Sequence, residues 1–76
     1  DYEVMQFALN LKALGQTSIK VSDLESHHRL RVCAFMRADG TTSSIPSSSS
    51  ILYHGDVVLA VVSNASVSTI AKYAQD

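Results

Sequence analysis

Seventy-six residues, 46% hydrophobic and 17% charged, with a formal net charge of −1, make one globular domain (1–76), because a second core could not be buried in so short a chain. Its six basic residues, Lys12, Lys20, Arg29, Arg31, Arg37 and Lys72, are scattered, whereas duplex nucleic acid needs a basic stripe, so that partner is not expected. The longest apolar run, 57–62, is far too short to cross a bilayer, and no signal-peptide pattern opens the chain. Cys33 is the only cysteine, which excludes an internal disulfide and fits a reducing compartment.

From 4 to 11 the odd positions Met5, Phe7, Leu9 and Leu11 are apolar, the period of a strand with one face on a core. Gly15 breaks that pattern. Ser18 is placed to cap a short helical turn through about Ser26 that buries Ile19, Val21 or Leu24, with a strand over 19–21 as the rival reading. The segment RLRVCAFMR, 29–37, alternates Leu30, Val32, Ala34 and Met36 against a mixed face of Arg29, Arg31, Cys33, Phe35 and Arg37. Mid-strand, Cys33 reads as a small buried hydrophobe.

Asp39-Gly40 then signals a two-residue type I′ hairpin turn, returning through a short strand at 41–45 that Pro46 ends. Four serines follow, and Gly55-Asp56 reads as a chain reversal, with Gly supplying positive φ and Asp bonding nearby backbone amides. The strand at 57–62 is apolar on both faces, as in the middle of a sheet. Asn64 or Ser66 caps a last helix in which Val67, Ile70, Ala71 and Ala74 recur at helical spacing. These elements predict an α+β domain: a four-stranded, mainly antiparallel sheet with two short helices in the order β-α-β-β-β-α.

Several side chains invite a chemical reading. Arg29 and Arg31, two apart on a strand, project from one face, and beside a two-fold axis they gather four guanidinium groups around one cleft, a natural holder of phosphate and nucleotide bases. Val32, Phe35 and Ile45 would floor such a cleft. His27, His28 and His54 are imidazoles for a metal only if their loops meet, and no carboxylate or thiolate stands at ligand spacing beside them, so no metal site is expected. Ser47 to Ser50, His54 and Asp56 hold the residue types of a hydrolase triad without the glycine-rich elbow that makes a serine rigid and reactive, so catalysis is not expected.

In order, Gly15-Gln16-Thr17, Asp23-Leu24, a strand ending at Arg37 with a glycine turn, Ile45-Pro46, Ile51-Leu52 and Gly55-Asp56 opening an apolar strand resemble the C-terminal domain of RCK proteins, the TrkA-C domain, over about 4–74. Ser47 to Ser50 stand where family members carry a Pro-x-x-Asp-Thr-x-Leu pattern. The resemblance implies a non-enzymatic, cytosolic regulatory domain, cut from or attached to a potassium channel, potassium uptake system or cation/proton antiporter at the inner face of the membrane. It implies a homodimer that senses a small ligand and biases the transporter. Some bacterial members bind cyclic di-AMP in the dimer cleft, through regions that correspond here to about 25–32 and 45–47. His28, Arg29, Arg31, Val32, Ile45 and Pro46 are the residues so nominated. Cyclic di-AMP binders place an Arg near Glu25 and an Asn near Arg31, so a relocated contact, another nucleotide or a different ligand stays open. A purely structural dimerisation module and the sensing domain of a transcription regulator share the same expected fold.

Overall fold

The structure, a computed structural model, describes residues 1–41 and 45–73. Strand β1 (Tyr2–Ala8) leads through a 3-10 turn at Lys12–Leu14 to strand β2 (Ser18–Lys20), helix α1 (Val21–His27) and strand β3 (Leu30–Met36). Strands β4 (Ile51–Tyr53) and β5 (Val57–Ser63) follow, then a 3-10 turn at Asn64–Ser66, helix α2 (Val67–Ile70) and a closing 3-10 turn at Ala71–Tyr73. The class is α+β, as expected. The single four-stranded sheet is not found: the strands divide into a three-stranded antiparallel sheet in the order β1-β5-β3 and a two-stranded antiparallel sheet of β2 and β4.

Strand β5 takes the middle of the larger sheet because its alternate residues are apolar on both faces. Its inward residues Val58, Ala60 and Val62 are wholly buried and lie opposite Phe7, Met5 and Glu3 of β1. The core closes over them with Leu9, Leu11, Val21, Leu24, Leu52 and Ile70. Each such Leu, Ile or Val contributes on the order of 1.5–3 kcal/mol by leaving water. Helix α1 joins this core through Val21 and Leu24, which stand three apart and therefore on one side of the helix.

Both readings of the segment at 18–26 hold in part: Ser18 to Lys20 pairs with Tyr53 to Ile51 as a strand, and the helix begins only at Val21. Ser18 does not cap it. Lys20 occupies the cap position in an extended conformation without a side-chain bond. The helix's first amides instead reach the serine run, Val21 N–H donating to Ser50 O at 2.9 Å and Ser22 N–H to Ser48 O at 3.1 Å. These backbone carbonyls satisfy donors that the helix itself leaves unpaired.

Strand β3 departs from simple alternation. Its pairing with β5 slips between Val32 and Ala34, a β-bulge at Cys33. The inserted residue shifts the phase, so Phe35 turns into the core at 5% exposure while Ala34 and Met36 face outward. Cys33 is exposed rather than buried. The turn after β3 also differs from type I′: Gly40 has φ 86°, but among the described residues no non-glycine residue has positive φ. Gly40 N–H donates to Arg37 O, and Asp39 Oδ1 accepts from Thr41 N–H at 2.9 Å. This combination is a tight turn finished by one left-handed glycine, the alternative hairpin geometry. Of the strand expected at 41–45, Thr41 and Ile45 are not in a strand, and the residues between them lie outside those described. Helix α2 is shorter than expected; neither Asn64 nor Ser66 caps it by its side chain, and Ala74 lies outside the described residues.

Candidate functional site

A groove of about 400 Å³ lies between α1, the outer edge of β3 and the segment 45–48. Its position follows from the sheet order. Strand β3 is at the edge, so part of its backbone has no neighbouring strand. Glu25, in the last turns of α1, supplies the missing partner: its Oε2 accepts the Val32 N–H at 2.9 Å. The same oxygen stands 4.0 Å from Arg31 Nε. Arg31's side chain is 83% exposed, so this ion pair is weak and the guanidinium is available to another anion.

Val21 and Val32 form a buried apolar floor, Pro46 is half-buried beside them, and Ile45 stands at the rim 91% exposed. Ser47, Ser48 and Cys33 complete the lining. The groove thus combines an apolar base, hydroxyl groups and one charge of each sign. Such a surface suits a small molecule with a flat apolar part and an anionic part, in the size range of ordinary ligand sites.

Of the residues nominated from sequence, Arg31, Val32, Ile45 and Pro46 meet in this groove. His28 and Arg29 do not. The His28 ring turns the other way, its Nε2 3.1 Å from the Tyr73 hydroxyl and its ring edge-on to Tyr73 at 5.1 Å between centroids. Burial, and then the neighbouring His27, hold the His28 pKa below its ordinary value. Arg29 shares with Arg31 a second hollow, of about 300 Å³, lined also by Tyr2, Leu30 and Val61. Arg31 therefore lines both depressions. Glu25 was not nominated individually, although the segment containing it was; the signal available was a carboxylate near the end of a helix followed within seven residues by an edge strand.

The remaining polar residues serve the fold. His27 Nδ1 lies 2.6 Å from Asp23 O, one helical turn back, and His54 Nδ1 accepts from Lys12 N–H at 3.2 Å. Among the described residues no group of three or more His, Cys, Asp or Glu side chains is arranged to hold a metal. The serine run closes on itself, with Ser47 Oγ 3.2 Å from both Ser49 Oγ and Ser50 Oγ. Asp56 is buried, and its carboxylate accepts from Arg37 Nη1 at 2.8 Å, Tyr53 N–H at 2.9 Å and Ala38 N–H at 3.2 Å. It ties β3, β4 and β5 together.

No helix among the described residues is long and apolar enough to cross a membrane. Comparison with protein-family models, with curated proteins and with solved structures found no match.

Proposed function

We propose that this chain is a regulatory ligand-sensing domain, homodimeric and cytoplasmic, of a potassium or other cation transport protein, and that a small anionic ligand occupies the groove between Glu25, Arg31 and Pro46. The observation that carries this reading is the meeting of Arg31, Val32, Ile45 and Pro46 in one groove of ligand size. These residues come from two separate segments, 31–32 and 45–46, and the resemblance to RCK C-terminal domains nominates the same segments. Cyclic di-AMP and other nucleotides are the first ligands to try. Arg31 grips phosphate, and the Val21–Val32 floor accepts a base.

Glu25 shapes what the groove accepts. Its carboxylate opposes an anion, so a ligand must draw Arg31 away from Glu25 or bind with a cationic or hydrogen-bonding group turned toward it. A regulatory effect requires only that the ligand favour one arrangement of the domain over another. Isothermal calorimetry with cyclic di-AMP and with mononucleotides tests the proposal. Arg31→Ala is expected to weaken binding about tenfold or more, the worth of a charge-assisted bond. Equal affinity of the variant and the parent would reject the groove.

A second reading, a structural dimerisation module, is favoured by the open apolar face of the larger sheet. It differs in its outcome: association without any ligand response.

A further inference from the structure

Strands β1 and β3 are the two edges of the larger sheet, and they are finished differently. The outer edge of β3 is blunted: a bulge at Cys33 bends it, and Glu25 Oε2 takes the Val32 N–H. Strand β1 has neither device. Its register against β5 runs unbroken from Tyr2 to Ala8, and its sequence, YEVMQFA, holds no proline and no lysine. Two bonds at its ends fix which backbone groups point outward. Leu9 N–H donates to Asp56 O and Asn64 N–H to Asp1 O, so the odd-numbered residues exchange bonds with β5. The amides and carbonyls of Tyr2, Val4 and Gln6 therefore face away from the sheet, and no hydrogen-bond partner for them is found among the described residues. Beyond Ala8 the edge is closed, where Asn10 N–H reaches Tyr73 O.

The side chains divide by face. Tyr2 and Val4 stand on the open face of the sheet, 76% and 68% exposed. Glu3 lies on the other face, exposed and in no ion pair among the described residues, with the exposed Asp1 two positions before it.

We propose that β1 is a strand-addition site: an extended segment of a different polypeptide, alternating basic with apolar residues, pairs antiparallel along Tyr2 to Gln6. Three observations choose this occupant. Outward N–H and C=O groups recurring at every second residue are matched by an extended backbone and not by a small molecule or a nucleic acid. Tyr2 and Val4 call for apolar residues directly across the pair, and Glu3 between them calls for Lys or Arg, because opposite charges across a strand pair attract and like charges repel. A second copy of the chain does not meet that demand. Antiparallel pairing of two β1 strands sets Glu3 against another Glu3, Met5 or Phe7 in the registers with most overlap, and β3, which carries Arg31, has its outer edge taken by Glu25. The basic residue thus comes from another sequence. The site lies at the opposite edge of the sheet from the groove, and the proposal does not rest on the ligand reading.

Fluorescence anisotropy with a labelled Val-Lys-Val-Lys-Val-Lys-Val peptide, blocked at both ends, tests the site on the intact chain. The peptide is expected to bind saturably, and a peptide with glutamate in place of lysine at least about tenfold more weakly. Glu3→Lys should reverse that preference. Methyl groups on the valine nitrogens, which face β1, should abolish binding, and the same groups on the lysine nitrogens, which face water, should spare it. No binding of the lysine peptide, equal binding of the two peptides, an unchanged preference in Glu3→Lys, or equal loss from both sets of methyl groups overturns strand addition at β1. Self-association of the chain that the lysine peptide breaks up makes a second copy the occupant and overturns the choice of partner. Should Glu3→Lys fail to fold, the methylated peptides decide on the parent chain.

Discussion

Asp56 is the one buried charged side chain among the described residues, and its bonds explain why it is there. A turn alone would need only the Tyr53 amide. The added bonds to Arg37 and to the Ala38 amide fasten the end of β3 to the start of β5, and Arg37 continues to Ile51 O at 3.0 Å while lying over the Phe35 and Tyr53 rings at 4.8 and 5.3 Å. Asp56→Ala takes the carboxylate from the guanidinium, which keeps only Ile51 O, and leaves the Tyr53 and Ala38 amides without that acceptor; it is expected to cost about 3 kcal/mol in urea unfolding. Asp56→Asn, which keeps an acceptor, should cost less. The local part of this site was legible in sequence, since Gly-Asp before an apolar strand reads as a turn whose carboxylate bonds nearby amides. The Arg37 partner was not, because nothing in local periodicity couples residues nineteen positions apart. Glu25 makes a second residue-scale test. Glu25→Gln keeps an acceptor for the Val32 N–H but removes the charge facing the ligand, so anion affinity measured by calorimetry should rise roughly three- to tenfold. A fall would mean that the carboxylate itself holds the ligand.

At the scale of elements, β3 shows where pattern reading stops. Period two was correct at Leu30 and Val32 and wrong beyond them, because a bulge is set by what the neighbouring strand can accept and leaves no mark in the alternation of nine residues. The turn at Gly55 was readable for the opposite reason. Its φ of 90° is a conformation that glycine alone adopts without strain, and an added Cβ would stand 3.2 Å from the Ala38 Cβ. Gly55→Ala should therefore destabilise the protein by about 1–3 kcal/mol, read from the urea midpoint. The C-terminal turns are fixed to α1 by His28 and Tyr73, and this contact gives a pH signature. Because the folded His28 pKa lies below its unfolded value, the unfolded chain takes up the proton first. The contribution of His28 is complete above the unfolded pKa and is lost as pH falls through the folded one. Melting temperature should thus decline on acidification below about pH 6.5, and His28→Gln should flatten that decline in scanning calorimetry.

For the whole molecule, the class was legible because the apolar periods of β1 and β5 are long enough to fix it, whereas the element content was not: strand β4 at Ile51–Tyr53 was unexpected, and Thr41 and Ile45 of the expected strand at 41–45 lie in no strand. Nor was the division into two sheets. Strands β2 and β4 have three residues each and pair with one another, a choice made by packing around Leu52 and Leu24 rather than by any pattern within so few residues. The site followed the same rule: segments could be nominated, while their meeting, and the turning away of His28, depended on how α1 sits against β3. The groove at the β3 edge and the hollow beside Val61 share Arg31. The Val32 amide, held by Glu25 inside the groove, reports most directly on the central claim. Titrating cyclic di-AMP or a mononucleotide into isotopically labelled protein should move the amide resonances of Val32, Cys33, Ser47 and Ser48 together and leave those near His28 and Tyr73 in place. A ligand that binds while the Val32 amide stays unmoved would contradict the account.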